Sequence, residues 1–216
     1  MAKKNRWSAL EKPWQMALTL AWEAHVLGNV GVGAVLTDSR KRVVAIGRNR
    51  VSDRKAPSGR LRSTFIAHAE LDILGQLVPR DYKNHTLWTT LEPCALCSIA
   101  VVMSNVGRVA FAARDRLWDG ISRLAELNDF IASRWPVRSG PLAGPVSVFA
   151  ELLPLLWFLD HKPNGTVVQK YESAHPRLLA LARSLNSDPQ FAGLKEHPVN
   201  EALDHLWVDL TAIDAE

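Results

Sequence analysis

Apolar residues recur every three or four positions through Trp14, Ala17, Leu18, Ala21, Trp22 and Leu27, which predicts an amphipathic helix over residues 12–27 that ends at Gly28. The tryptophans of this stripe, and His25 near its end, are read as core or capping groups. The pattern then changes to continuous apolar runs. Val30–Leu36 predicts a buried strand and Val43–Gly47 its hairpin partner, joined by the turn Asp38-Ser-Arg-Lys41. Gly31 and Gly33 inside the first run do not make a phosphate loop, and close approach of a helix or a substrate to the backbone accounts for them better.

A polar stretch over residues 49–66 follows, of a length that is often functional or mobile. Leu71, Leu74, Leu77 and Val78 then continue an apolar face behind His68, and Thr86–Leu91 is a third strand. Pro93 suits the first turn of a helix running through Cys94, Cys97, Ile99, Val102 and Met103. Arg108–Ala112 is a fourth strand, and the helix before it implies a parallel, right-handed crossover. Beyond lie a helical pattern from Ile121 through Leu124, Leu127, Asn128 and Ile131, a Pro/Gly-rich linker over 136–145, and an apolar run from Val146 to Leu159 interrupted by Pro154. Leu178–Ala182 reads as helical, and Asn200 as the cap of a last helix with Leu203, Leu206, Trp207 and Leu210 on one stripe. The expected organisation is an α/β unit over residues 8–150 with a helical extension, 151–216, packed on it, which either caps a site or mediates assembly.

The chain of 216 residues, 47% hydrophobic, can bury one core with room for that extension. No apolar run approaches the ~20 residues of a membrane helix, and the amino-terminal Met1–Trp7 leads into an amphipathic segment rather than a signal core. Both cysteines fall in one motif, which fits a reducing compartment, and a cytoplasmic protein is expected. Net charge is +4 but uneven: Arg40, Lys41, Arg42, Arg48, Arg50, Arg54, Lys55, Arg60 and Arg62 face only Asp53 within their stretch, whereas from Glu196 onward the charged residues are all acidic. Such asymmetry either steers an anionic substrate or marks a solvated loop and a solvated helix.

The chemistry concentrates in His68-Ala-Glu70 and Pro93-Cys-Ala-Leu-Cys97. One imidazole and two thiolates are three zinc ligands, which leaves a fourth tetrahedral position for water, as a catalytic site requires. Zinc lowers the pKa of such a water from ~15.7 toward ~7, so hydroxide becomes available as a nucleophile at neutral pH. Glu70 is the candidate for moving the protons. Helix N-termini at His68 and at the cysteines would favour the thiolate form. A Cys-x-x-Cys alone is a redox pair or half of a structural zinc site, but no second pair exists to complete a four-cysteine knuckle.

Together these motifs resemble those of zinc deaminases. Met16-Ala-Leu-Thr-Leu, Val32-Gly-Ala-Val-Leu, Gly47-Arg-Asn49, Thr90-Leu-Glu-Pro-Cys-Ala-Leu-Cys97 and Gly107-Arg-Val-Ala-Phe-Ala-Ala-Arg-Asp115 extend the resemblance over residues 14–116 to the cytidine/deoxycytidylate deaminase superfamily, in the branch of tRNA adenosine and guanine deaminases. The resemblance implies a three-layer α/β/α sandwich with a mixed five-stranded sheet, zinc held by His68, Cys94 and Cys97, Glu70 as proton shuttle, and a homodimer. It also implies that Asn49 hydrogen-bonds the base or sugar and that the backbone at Ala69 meets the ring edge. The usual Asp-Pro-Thr before the histidine is replaced by Thr64-Phe65-Ile66, the preceding loop is longer, and the chain ends in an acidic helix where tRNA enzymes carry a basic one. Trp118 is a candidate for stacking on a ring or for the core. The expected function is therefore hydrolytic deamination of a small purine-like nucleobase, nucleoside or nucleotide, with no membrane partner. The alternatives are a deaminase of tRNA or other single-stranded nucleic acid, and an inactive binding subunit of the same fold.

Overall fold

The computed structural model describes residues 4–214, so Glu216 and the first three residues of the amino-terminal segment lie outside the described residues. Helices α1 (Lys4–Ser8) and α2 (Lys12–Val26) precede a hairpin of β1 (Gly33–Thr37) and β2 (Val43–Arg48). Then α3 (Ala69–Leu74) leads to β3 (Thr86–Leu91), α4 (Ala95–Met103) to β4 (Arg108–Ala113), and α5 (Asp129–Arg134) to β5 (Val137–Ser139). The remainder winds into α6 (Pro145–His161), α7 (Thr166–Ala174), α8 (Pro176–Asn186), α9 (Pro189–Gly193) and α10 (Val199–Asp214).

The sheet has the expected five strands, in the order β2-β1-β3-β4-β5. β1 is antiparallel to both β2 and β3, whereas β3, β4 and β5 run parallel, as the helical crossover through α4 required. Register assigns the side chains to two faces. Val35, Trp88 and Ala110 lie side by side and join a core with α2 and α6; their neighbours Leu36, Leu87 and Val109 join a second core with Ile73 of α3 and Val101 of α4. Helices therefore cover both faces, giving the three-layer sandwich.

On the α2 side, two glycines allow unusually close contact. A Cβ on Gly33 would fall 2.2 Å from the Ala17 carbonyl oxygen, and one on Gly31 would fall 2.6 Å from Leu153 Cβ of α6. α6 is apolar around most of its circumference because α2 and the sheet cover one side while α8 and α10 cover the other. This helix runs through residue 150 and continues past Pro154, which donates no N–H to the Ala150 carbonyl. Among the described residues no helix is long and apolar enough to cross a membrane.

Several boundaries differ from those expected. α3 stops at Leu74, leaving Leu77 and the exposed Val78 outside it, because Pro79 disfavours helical backbone at Val78. α4 starts at Ala95 rather than Pro93, with Cys94 in extended conformation as its N-cap. The pattern over 121–131 is two pieces: a 3₁₀ turn over Ile121–Glu126, then α5, for which the Asn128 side chain accepts a hydrogen bond from Ile131 N–H. α10 begins at Val199, since the Pro198 carbonyl already accepts from Glu201 N–H, so Asn200 lies inside the first turn and is not the cap.

His25 is buried against Trp22 and Phe191, and its Nε2 has no hydrogen-bond partner among the described residues. Burial, reinforced by Lys195, pulls its pKa from 6.5 to about 4. The unfolded chain thus binds a proton that the folded chain refuses between about pH 4 and 6.5, so the stability tied to the neutral ring is complete above pH 6.5 and is lost as pH falls toward 4. At 1.36 kcal/mol per pKa unit this amounts to roughly 3 kcal/mol. His25→Leu is expected to flatten the fall in denaturation midpoint between pH 7 and pH 4; a variant as acid-sensitive as the parent would place the effect elsewhere.

Candidate active site

The sheet topology gathers the motif residues at one end. α3 and α4 both present their N-termini beside the carboxyl end of β3, where Leu91 leads through Glu92 to Cys94. His68 and Cys94 are the extended N-cap residues of these two helices, and this conformation turns both side chains toward one point. His68 Nδ1 lies 3.3 Å from Cys97 Sγ and 3.6 Å from Cys94 Sγ. The three donor atoms fall within 4.8 Å of one another. Tetrahedral bonds of ~2.0–2.3 Å place neighbouring donors roughly 3.5–3.8 Å apart, so this cluster fits zinc in spacing as well as in donor type.

The electrostatics agree. The hydrogen bond with Cys97, and beyond it His68, pulls the Cys94 thiol down to about 4 against the opposing effect of burial. The same contact and burial push Cys97 well up. Burial opposes a charged imidazole at His68, but Cys94 and Glu70 outweigh it and raise the His68 pKa, so a thiolate at Cys94 stands against protonated neighbours whose protons a bound cation would displace.

Glu70 is buried in the first turn of α3. Its Oε1 accepts a hydrogen bond from the Thr89 hydroxyl at 2.8 Å, and its Oε2 lies 3.5 Å from Cys97 Sγ. Burial raises its pKa, partly offset by His68. The carboxyl is therefore beside the donor cluster, fixed by one oxygen and able to carry a proton on the other.

These groups open into a cavity of about 260 Å³, small beside the ~300–1,000 Å³ of typical ligand pockets. His68, Ala69, Glu70, Cys94, Asn49 and Trp118 all line it, so the expected site residues meet in one place, with Cys97 behind the wall. Asn49 is buried; its Oδ1 accepts from Val51 N–H and its Nδ2 has no bond among the described residues. Trp118 is partly exposed at the rim rather than in the core.

Two contributions were not anticipated. Asp115, at the carboxyl end of β4, lines the cavity, and burial together with Cys94, Glu92 and Glu70 raises its pKa to about 7 despite a hydrogen bond from Leu117 N–H. Its position past a parallel strand end was the available clue, since ligands of open α/β sheets bind there. The far wall is made by Pro154, Leu155 and Phe158 of α6 with Val167 and Tyr171 of α7. The sequence places an extension here that either caps a site or mediates assembly, without singling out these residues.

The basic segment is largely consumed internally. Arg48 pairs with Glu23 and Asp53, Arg50 with Asp53 and Asp72, Arg60 with Asp72, Arg42 with Asp38, and Lys41 with Glu11. Asp53 is thus not their sole counter-charge, because Asp72 of α3 and Glu23 of α2 come from outside the stretch. Arg40, Arg54, Lys55 and Arg62 carry no ion pair among the described residues.

The family described as the cytidine and deoxycytidylate deaminase zinc-binding region matches residues 8–113. A tRNA-specific adenosine deaminase of Haemophilus influenzae is 36% identical over 148 residues, covering 66% of this chain and 81% of the relative. The chain belongs to the cytidine and deoxycytidylate deaminase family. It is a zinc-dependent deaminase, and thus a hydrolase, on the branch that includes the tRNA adenosine deaminases. A cytosine deaminase of Candida albicans is 30% identical over 103 residues, covering 46% of this deaminase and 63% of the relative. The solved structure of guanine deaminase from Nitrosomonas europaea shares 21% identity over 68% of this chain and 85% of its own, with a TM-score of 0.47. The family match ends at residue 113, before Asp115, Trp118 and the α6–α7 wall.

Proposed function

We propose that this deaminase acts on a small purine-like base, nucleoside or nucleotide free in solution, and releases ammonia. The observation that carries this reading is the α6–α7 wall: Phe158 and Tyr171 stand opposite the donor cluster and make the catalytic cavity a small chamber. The extension also meets the long loop. Lys162, just past α6, lies over the ring of Phe65 from the long loop, 4.7 Å from its centre. A base held in a polynucleotide would have to bring its flanking backbone through the same opening.

Zinc held by His68, Cys94 and Cys97 supplies an activated water at neutral pH. Glu70 takes the proton from the attacking water, delivers it to a ring nitrogen and then assists departure of the amino group, while the Thr89 bond keeps its carboxyl plane fixed. Asn49 Nδ2 and the Ala69 backbone read the ring edge, and Trp118 covers a ring face at the mouth. Water other than the reactant is excluded by the apolar wall of Leu155, Phe158 and Val167.

A tRNA-directed activity is the second reading, favoured by the Haemophilus influenzae relative. The ion pairs that occupy Arg48, Arg50 and Arg60 weaken it, because paired guanidiniums are not available to phosphates. An inactive subunit is disfavoured by the intact Glu70. A homodimer is proposed with the enzyme, to be read by light scattering.

The zinc-loaded protein is to be incubated with guanine, adenine, cytosine, adenosine, AMP and a short RNA hairpin. Ammonia is expected from a purine compound, with a KM for a neutral base that hardly responds to salt. Ammonia from the hairpin alone, with binding that weakens steeply as salt rises, would establish the second reading instead.

A further inference from the structure

Glu151 sits in the middle of α6, flanked by Ala150 and Leu152 in an otherwise apolar stretch, and is 4% exposed. An apolar side chain would stabilise such a position at least as well, since taking a carboxylate out of water costs several kcal/mol before its partners compensate. Its partners come from separate elements. Arg116 Nε donates to Glu151 Oε1 at 2.8 Å, and His175 Nδ1, at the junction of α7 and α8, lies 3.4 Å from both Glu151 Oε1 and Arg116 Nη2. His175 is in turn tied to the wall residue Tyr171 of α7, whose carbonyl accepts from the His175 N–H at 3.0 Å.

Each partner is attached to a wall of the cavity. Arg116 lies between Asp115 and Leu117, in the turn that also carries Trp118. Tyr171 itself lines the opposite side with Val167. On the surface above the same seam Lys170 pairs with Asp119 at 3.3 Å, but that pair is exposed and contributes little. The buried carboxylate is therefore a common anchor, out of water, of two walls that also meet directly along this seam.

We propose that Glu151 is a positioning residue for substrate binding: through Arg116 and His175 it fixes the distance between the Asp115–Trp118 turn and α7, and so sets the width of the catalytic cavity. This rests on reading that cavity as the substrate site. It assigns to the extension, beyond the matched family region, control of which ring fits.

The test compares Glu151→Leu with the parent, both as full-length zinc-loaded protein. Leucine removes the anchor without leaving a polar group in α6, and Arg116 is open enough to turn to water. Zinc content is expected to be unchanged, KM to rise roughly tenfold and kcat to stay within about threefold, because misplaced walls weaken binding while the donor cluster and Glu70 are untouched. Amide exchange should accelerate in α7 and at residues 115–118, but not in α10. KM is measured on whichever of guanine, adenine, cytosine or the RNA hairpin the parent turns over, so failure of the small-substrate reading leaves this comparison intact. An unchanged KM overturns the proposal. Should none of the four be turned over, exchange decides, and unchanged protection of α7 overturns it. If Glu151→Leu does not fold, His175→Ala removes the imidazole that ties Glu151 to the end of α7, and a KM equal to the parent's overturns the proposal equally.

Discussion

Glu70→Gln is expected to lower kcat by roughly 10³-fold or more while the protein keeps its full complement of zinc, a loss in the range of positioned acid–base groups. Glutamine has nearly the same shape and can still accept the Thr89 hydrogen bond at Oε1. It cannot take a proton from water or return one. Because Glu70 stands beside the donor cluster and is not one of its three converging ligands, metal content measured by atomic emission should not change. The role assigned to Glu70 fails if the variant turns over substrate at a rate near the parent's, and the separation of roles fails if zinc is lost along with activity.

Phe149→Ala is expected to be the most damaging single truncation for stability. Phe149 is completely buried in α6 and lies against Trp22 of α2, with ring centres 6.2 Å apart. Removing a buried phenylalanine costs about 3–5 kcal/mol, or roughly 10 °C in melting temperature for a chain of this size. The melting curve should remain a single transition, with zinc release at the same temperature. We propose this because one continuous core joins Trp88 and Ala110 of the sheet to α2, α6, α8 and α10, so the extension has no separate interior to lose. Two transitions, with zinc retained after the first, would show that the helices beyond residue 150 melt independently.

The legible parts of the fold were those set by local periodicity. β3 was bounded correctly because Thr86–Leu91 is an apolar run between polar breaks, and α2 because its stripe is strict and Gly28, with φ of 75°, closes its exit. β5 was invisible in the pattern: three residues, exposed on two, at the end of the sheet. The zinc ligands and Glu70 were legible because their chemistry depends on residue type and short spacing. The Arg48, Arg50 and Arg60 pairs were not, since the carboxylates that claim them, Glu23 and Asp72, arrive from other elements. Phe158 and Tyr171 were hidden for a different reason. A residue lining a dry cavity and one lining a core obey the same hydropathy, so only the packing of α6 and α7 distinguishes them.

The two sides of the cavity also differ in when they can exist during synthesis. His68, Glu70, Cys94, Cys97 and Asp115 precede the roof residues Pro154 to Tyr171 in the chain, and the contact of Leu153 with Gly31 closes one of the longest loops in the molecule. Such long-range closure is entropically late in folding. A chain still emerging from the ribosome therefore carries all three donor residues before it has α6 and α7, and the sheet face that α6 covers has to wait for them.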